Sequence, residues 1–97
     1  NTKMLFSGLK LIYKLQPGES KNIDLVNYKY IVIEGVESKV IPTGLLNVTN
    51  ISTSLTRAAS DSYFCYEFVF LSKNKIQYHA AYCMGFNERT ISIYGIE

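Results

Sequence analysis

The stretch Tyr63-Phe64-Cys65-Tyr66-Glu67-Phe68-Val69-Phe70-Leu71-Ser72-Lys73-Asn74-Lys75-Ile76-Gln77-Tyr78-His79-Ala80-Ala81-Tyr82-Cys83-Met84 decides the fold. Aromatic and β-branched residues recur in it with a period of two, the mark of a strand with two unlike faces. Even positions Phe64, Tyr66, Phe68 and Phe70 make one aromatic face, and Ile76, Tyr78, Ala80, Tyr82 and Met84 make the matching face of a return strand. The two faces coincide only if paired residues share parity, because a slip of one residue sends a whole set to the other side. A three-residue loop, Lys73-Asn74-Lys75, gives that register, with Asn74 in a left-handed conformation. Phe70 then faces Tyr78, Phe68 faces Ala80, and Phe64 faces Met84. The expectation is a hairpin whose even, aromatic face forms the core.

The same alternation continues to the C-terminus in Thr90-Ile91-Ser92-Ile93-Tyr94-Gly95-Ile96-Glu97. A closing strand of this kind is expected to be tied into the core. Toward the N-terminus, further strand-like stretches are separated by turn signals, among them Gln16-Pro17-Gly18-Glu19. The strands expected are 2–6, 9–15, 22–25, 28–36, 39–46, 63–71, 76–84 and 89–96. Pro42 demotes the fifth to an edge or bulged strand, since proline cannot donate to a ladder. Nine of the sixteen residues from Asn47 to Ser62 are Ser, Thr or Asn, which argues against a stable helix. That segment reads as a surface crossover, with at most one short strand or helical turn. The fold class is all-β, a compact β-sandwich or jelly roll of about eight antiparallel strands, in one domain over residues 1–97.

Composition narrows the function. The net charge is +2, and the ten basic residues are scattered rather than clustered, so no phosphate-binding surface is evident. No apolar run reaches the ~18–20 residues of a membrane-spanning helix. Trp is absent while Tyr occurs eight times, so Tyr is the available ring for stacking against a ligand. The first residue is Asn1, and the chain is expected to be the C-terminal piece of a longer protein.

Three segments together resemble one family. Met4-Leu5-Phe6-Ser7-Gly8 resembles the opening strand, Asn27-Tyr28-Lys29-Tyr30-Ile31-Val32-Ile33-Glu34 the central strand, and Ile93-Tyr94-Gly95-Ile96 the closing strand of small β-domains at the tips of bacteriophage tail fibres and baseplates. The motifs cover about a quarter of the chain, in the family's order and spacing. The resemblance implies a homotrimer on a fibre axis, located in the virion tail after assembly in the bacterial cytoplasm. It also implies recognition of host surface polysaccharide or teichoic acid during adsorption. A trimerisation or capping domain without a ligand is the alternative. The shared motifs are framework strands and carry no binding residues over to this chain.

Candidate residues therefore rest on position. The polar segment offers Asn50, Arg57 and Asp61, and the odd face of the hairpin offers Tyr63, Gln77 and His79, all as ligand contacts. Cys65 and Cys83 oppose each other in the register above. One His and two Cys fall short of a structural zinc site, so no metal or other cofactor is expected. In a cytoplasmically assembled tail protein the two thiols are expected to stay reduced. His79 lies diagonal to Glu67, and Asp61 with Glu67 could be imagined as a carboxylate pair. No nucleophile elbow, zinc-binding helix motif or phosphate loop accompanies them, so no catalysis is expected. Asn47-Val48-Thr49 and Asn50-Ile51-Ser52 match the glycosylation tripeptide, which polar loops produce often by chance. The odd hairpin face, with Val69 and Leu71 on it, is expected to cover a second sheet or a neighbouring subunit.

Overall fold

A computed structural model describes residues 9–87 and 89–97. At its centre the hairpin forms as expected, from β6 (Tyr63–Ser72) and β7 (Lys75–Met84). The preceding strands are β1 (Leu9–Leu15), β2 (Ser20–Asn22), β3 (Tyr30–Glu34), β4 (Ser38–Pro42) and β5 (Ile51–Ser60), and β8 (Ile91–Ile96) follows. They make two four-stranded antiparallel sheets, ordered β1-β8-β3-β4 and β2-β7-β6-β5. The fold is all-β. The strand expected over 2–6, with its motif Met4–Gly8, lies outside the described residues.

One core joins the sheets. Leu15, Ile31, Ile33, Ile91 and Ile93 enter it from the first, and Leu55, Val69, Leu71, Ile76 and Tyr78 from the second. Each aliphatic side chain taken fully from water contributes about 1.5–3 kcal/mol. The thinnest dimension, 20 Å, suits two sheets about 10 Å apart with their outer side chains. The closing strand β8 is central, between β1 and β3, and Ile91 and Ile93 are fully buried. Pro42 ends β4, the edge strand of its sheet, where a missing donor costs nothing. The chain then continues as a 3-10 turn (Thr43–Asn47), so the strand expected to reach 46 stops at 42. Similarly, the strand expected over 22–25 ends at Asn22 and gives way to a 3-10 turn at Leu25–Asn27.

Three expectations about the central hairpin are corrected. The turn has two residues, because Ser72 pairs with Lys75, and no non-glycine residue among those described has a positive φ, Asn74 included. The register also slips: Phe68 pairs with Ala80 but Val69 pairs with Tyr78, leaving His79 as an unpaired extra residue. This bulge reverses the parity of β7. Ile76 and Tyr78 point inward, whereas Tyr82 and Met84 beyond the bulge point outward. Phe70 therefore faces Gln77 rather than Tyr78, although Phe68–Ala80 and Phe64–Met84 pair as expected.

The third correction is the largest. The core face of β6 is the odd one: Cys65, Glu67, Val69 and Leu71 are buried, whereas the aromatic even face looks outward. The reason is β5, which occupies Ile51–Ser60, where a crossover was expected. Its register places Ile51 and Leu55 opposite Leu71 and Glu67, and Ser52, Ser54 and Thr56 opposite Phe70, Phe68 and Tyr66. On β5 and β6 the odd face collects the aliphatic groups, and the even face sets hydroxyls against the aromatic rings. The sheet buries the face on which Ile51, Leu55, Val69 and Leu71 meet Ile76 and Tyr78 of β7.

Gly95 shows how tightly the central strand is fitted. A Cβ there would overlap the ring of Tyr28, which lies across the strand. We predict that Gly95→Ala lowers stability by about 2 kcal/mol in urea unfolding. Tyr28→Ala in the same chain should recover part of that loss, so the double mutant falls short of additivity. Strictly additive losses would contradict the contact.

Candidate functional site

The outward face of β2-β7-β6-β5 carries the surface to be explained. Along β6 it presents Phe64, Tyr66, Phe68 and Phe70, a row about 20 Å long at ~3.4 Å per residue. Beyond the bulge β7 adds Tyr82 and Met84, and the bulge itself adds His79. The rings interlock: Phe64 and Tyr66 lie 5.5 Å apart, Phe68 and Tyr82 6.0 Å apart edge to face, and Phe70 and His79 5.2 Å apart. Tyr82 is 65% exposed, Phe70 39% and Tyr66 38%. Ser52, Ser54, Thr56 and Ala58 run alongside on β5, directly opposite the rings. Large rings beside small hydroxyls make a shallow trough with an apolar wall and a hydrogen-bonding floor. A contiguous apolar patch left in water on a small domain is a candidate binding surface.

At one end the trough deepens into a cleft of about 300 Å³ lined by Asn50, Ser52, Phe70, Lys75 and Gln77. Of the residues expected from sequence to touch a ligand, Asn50 and Gln77 meet here across the Phe70 ring, and His79 packs against the same ring. Gln77 and His79 were assigned to the face opposite the aromatics; the two-residue turn instead pairs Gln77 with Phe70, and His79, at the bulge, packs on the same ring. Asp61 lies at the opposite end, in a shallow hollow with Phe64 and Tyr66. Tyr63 is exposed at the start of β6, near that end. Arg57 separates from all of these. It is an inward position of β5, opposite Cys65, with its guanidinium 5.9 Å from the Phe86 ring centre.

A buried carboxyl group was missed by the sequence reading. Glu67 is fully buried and accepts hydrogen bonds from the Val36 amide at 2.8 Å and the Tyr78 hydroxyl at 2.9 Å. Burial pushes its pKa up, opposed by those two bonds, which favour the carboxylate. Tyr78 is raised too, by its own burial and by the adjacent Glu67. Gly35 lacks a side chain because the Glu67 carboxyl occupies the place of its Cβ. Next along, the Glu37 carboxylate accepts the Thr56 amide at 2.6 Å, covering part of the β5 edge. The β3–β4 turn is thus latched onto the second sheet through Glu67 and Glu37. Above the latch lies a cavity of about 330 Å³ shared by Arg57, Phe86, Asn87 and Thr90.

These positions decide what the residues can do chemically. Glu67 faces the core and His79 the opposite side of the sheet, so the Glu–His pair imagined from sequence does not form. Asp61 sits in the exposed β5–β6 turn, so it does not pair with Glu67 either. Cys65 and Cys83 are directly opposed as expected, yet they are joined as a disulfide rather than held as free thiols. The bond ties β6 to β7 beside the Arg57 cavity and joins positions 18 apart in sequence. Among the described residues no group of three His, Cys, Asp or Glu could hold a metal ion, and no helix is long and apolar enough to cross a membrane. What remains is a surface suited to stacking and neutral hydrogen bonding. No protein-family model, curated protein or solved structure matches the chain.

Proposed function

We propose that this chain is a recognition module at the tip of a bacteriophage tail, which binds carbohydrate on the host surface through the outer face of β2-β7-β6-β5. The observation that carries the reading is the cleft in which Asn50 and Gln77 flank the Phe70 ring. Two planar amides beside an aromatic face provide what a sugar requires: donors and acceptors for its hydroxyls, and a ring for its C–H face. The trough of Tyr66, Phe68 and Tyr82 extends the surface to several sugar units. Three copies on one fibre would turn weak single-site affinity into avidity. The resemblance of three motifs to phage tail tips supports the same setting.

A second reading has its own observation. The outer face of the other sheet exposes Leu11, Tyr30 and Val40, a largely apolar surface of the kind buried between subunits. In a structural cap, trimer contacts through that face would be the whole function. Binding to intact cells of candidate hosts separates the two. Recognition predicts saturable, strain-restricted binding that purified host polysaccharide competes away, weakened about tenfold by Phe70→Ala. Trimers in sedimentation without any cell binding would leave only the structural cap.

A further inference from the structure

From the distribution of charge over the outer face, we infer that its ligand is an uncharged glycan, not an anionic polymer such as a teichoic acid or acidic polysaccharide; the inference rests on the carbohydrate-binding reading above. The outward positions of β5 are Ser52, Ser54, Thr56 and Ala58, those of β6 are Phe64, Tyr66, Phe68 and Phe70, and β7 contributes Gln77, His79, Ala80, Tyr82 and Met84. Lys75, which opens β7 and lines the cleft, is the one charged residue among the outward positions of these three strands, in a chain with eighteen Lys, Arg, Asp and Glu. Lys75 stands at the turn end and Asp61 at the opposite end, so the trough between them is bracketed by one charge of each sign.

Anionic glycans are held by cations. A phosphodiester or carboxylate must shed water to bind, and a guanidinium fork or clustered ammonium groups offset that cost. Arg57, the one guanidinium among the expected contacts, lies on the inward side of β5 against Phe86, away from the trough. The floor offers neutral hydroxyls and amides instead. A neutral sugar needs only these, with rings against its apolar faces. Adjacent outward residues of β6 repeat at ~6.8 Å, so the four rings line up in one straight row along the strand. The geometry points to a linear segment lying along β6.

The 97-residue chain should be titrated calorimetrically with neutral and anionic bacterial polysaccharides, glycerol-phosphate teichoic acid among the latter, at about 50 mM and about 500 mM salt. The expected result is binding to a neutral polysaccharide that changes less than about twofold with salt. Tyr66→Ala and Tyr82→Ala should each weaken it about tenfold, and Lys10→Ala, on β1 of the other sheet, should leave it unchanged. Binding of an anionic polymer that fades with salt and is lost in Lys75→Ala would overturn the inference while keeping carbohydrate recognition. No binding of either class would overturn both. Self-association broken by Tyr66→Ala, with no glycan bound, would assign the face to a second copy of the chain and likewise overturn it.

Discussion

Glu67→Ala is expected to lower the stability of the domain by about 3 kcal/mol, whereas Glu67→Gln should leave it within about 1 kcal/mol of the parent at neutral pH. Alanine strands the part-buried Val36 amide and the buried Tyr78 hydroxyl, and a stranded buried group costs roughly 1–3 kcal/mol. Glutamine keeps an acceptor for Val36, and its amide can donate to the Tyr78 oxygen, so the latch survives without charge. In a domain of this size each kcal/mol moves Tm by about 4–8 °C. The two variants should therefore separate clearly in a thermal scan.

The same residue sets a pH dependence whose sign follows from its direction of shift. The folded-state pKa of Glu67 is raised by burial, so the folded chain holds this proton more tightly than the unfolded chain. Its favourable contribution is complete below the ordinary carboxylate range and is lost as pH rises through the raised folded value. Stability of the parent should fall over that window, and Glu67→Gln should flatten the fall. A parent that gains stability across the same window, with no difference in Glu67→Gln, would contradict the assignment.

The second large effect concerns the two faces of β6. Val69→Asp should prevent folding, because Val69 is fully buried between Thr53 and Tyr78. An unpaired buried carboxylate costs several kcal/mol, against a total stability of about 5–15 kcal/mol. Phe70→Asp, one residue further on, should cost only about 1–2 kcal/mol, since its ring is already partly in water. Circular dichroism in urea compares them directly. Equal losses, or the reverse order, would mean that the sheet had turned over.

This contrast also shows what the residues alone disclose. Period-two alternation located β1, β3, β6, β7 and β8, because a half-buried strand must alternate whichever side is inward. It could not say which side that was. With β6 and β7 considered alone, four aromatics outweigh Cys65, Glu67, Val69 and Leu71. The choice reverses once Ile51 and Leu55 are added from β5. The alternation Ile51-Ser52-Thr53-Ser54-Leu55-Thr56 was the available signal. Its many hydroxyls read as a loop, although β-branched Thr and Ile favour a pleated strand.

The site was legible to a similar degree. Asn50 and Gln77 were selected for their polarity and do share a cleft, but the Phe70 ring between them had been assigned to the core. Parity along β5 would have placed Arg57 on the inward side, had that strand been recognised. The burial of Glu67 was not readable in its own strand, since it depends on Gly35 and Val36 approaching from the other sheet. Nor could pairing rules anticipate the bulge at His79, which puts Tyr78 in the core and Tyr82 in water. A shift of one residue is invisible where both parities carry apolar groups.

The central claim is that β6 and β7 turn their aromatic row to solvent while Tyr78 stays inside. Nitration of the folded chain with tetranitromethane, followed by peptide mapping, tests it most directly because the reagent modifies accessible tyrosines. The account predicts rapid modification of Tyr82 and Tyr66 and none of Tyr78 until the chain unfolds. Modification of Tyr78 with Tyr66 and Tyr82 protected in the monomer would contradict it.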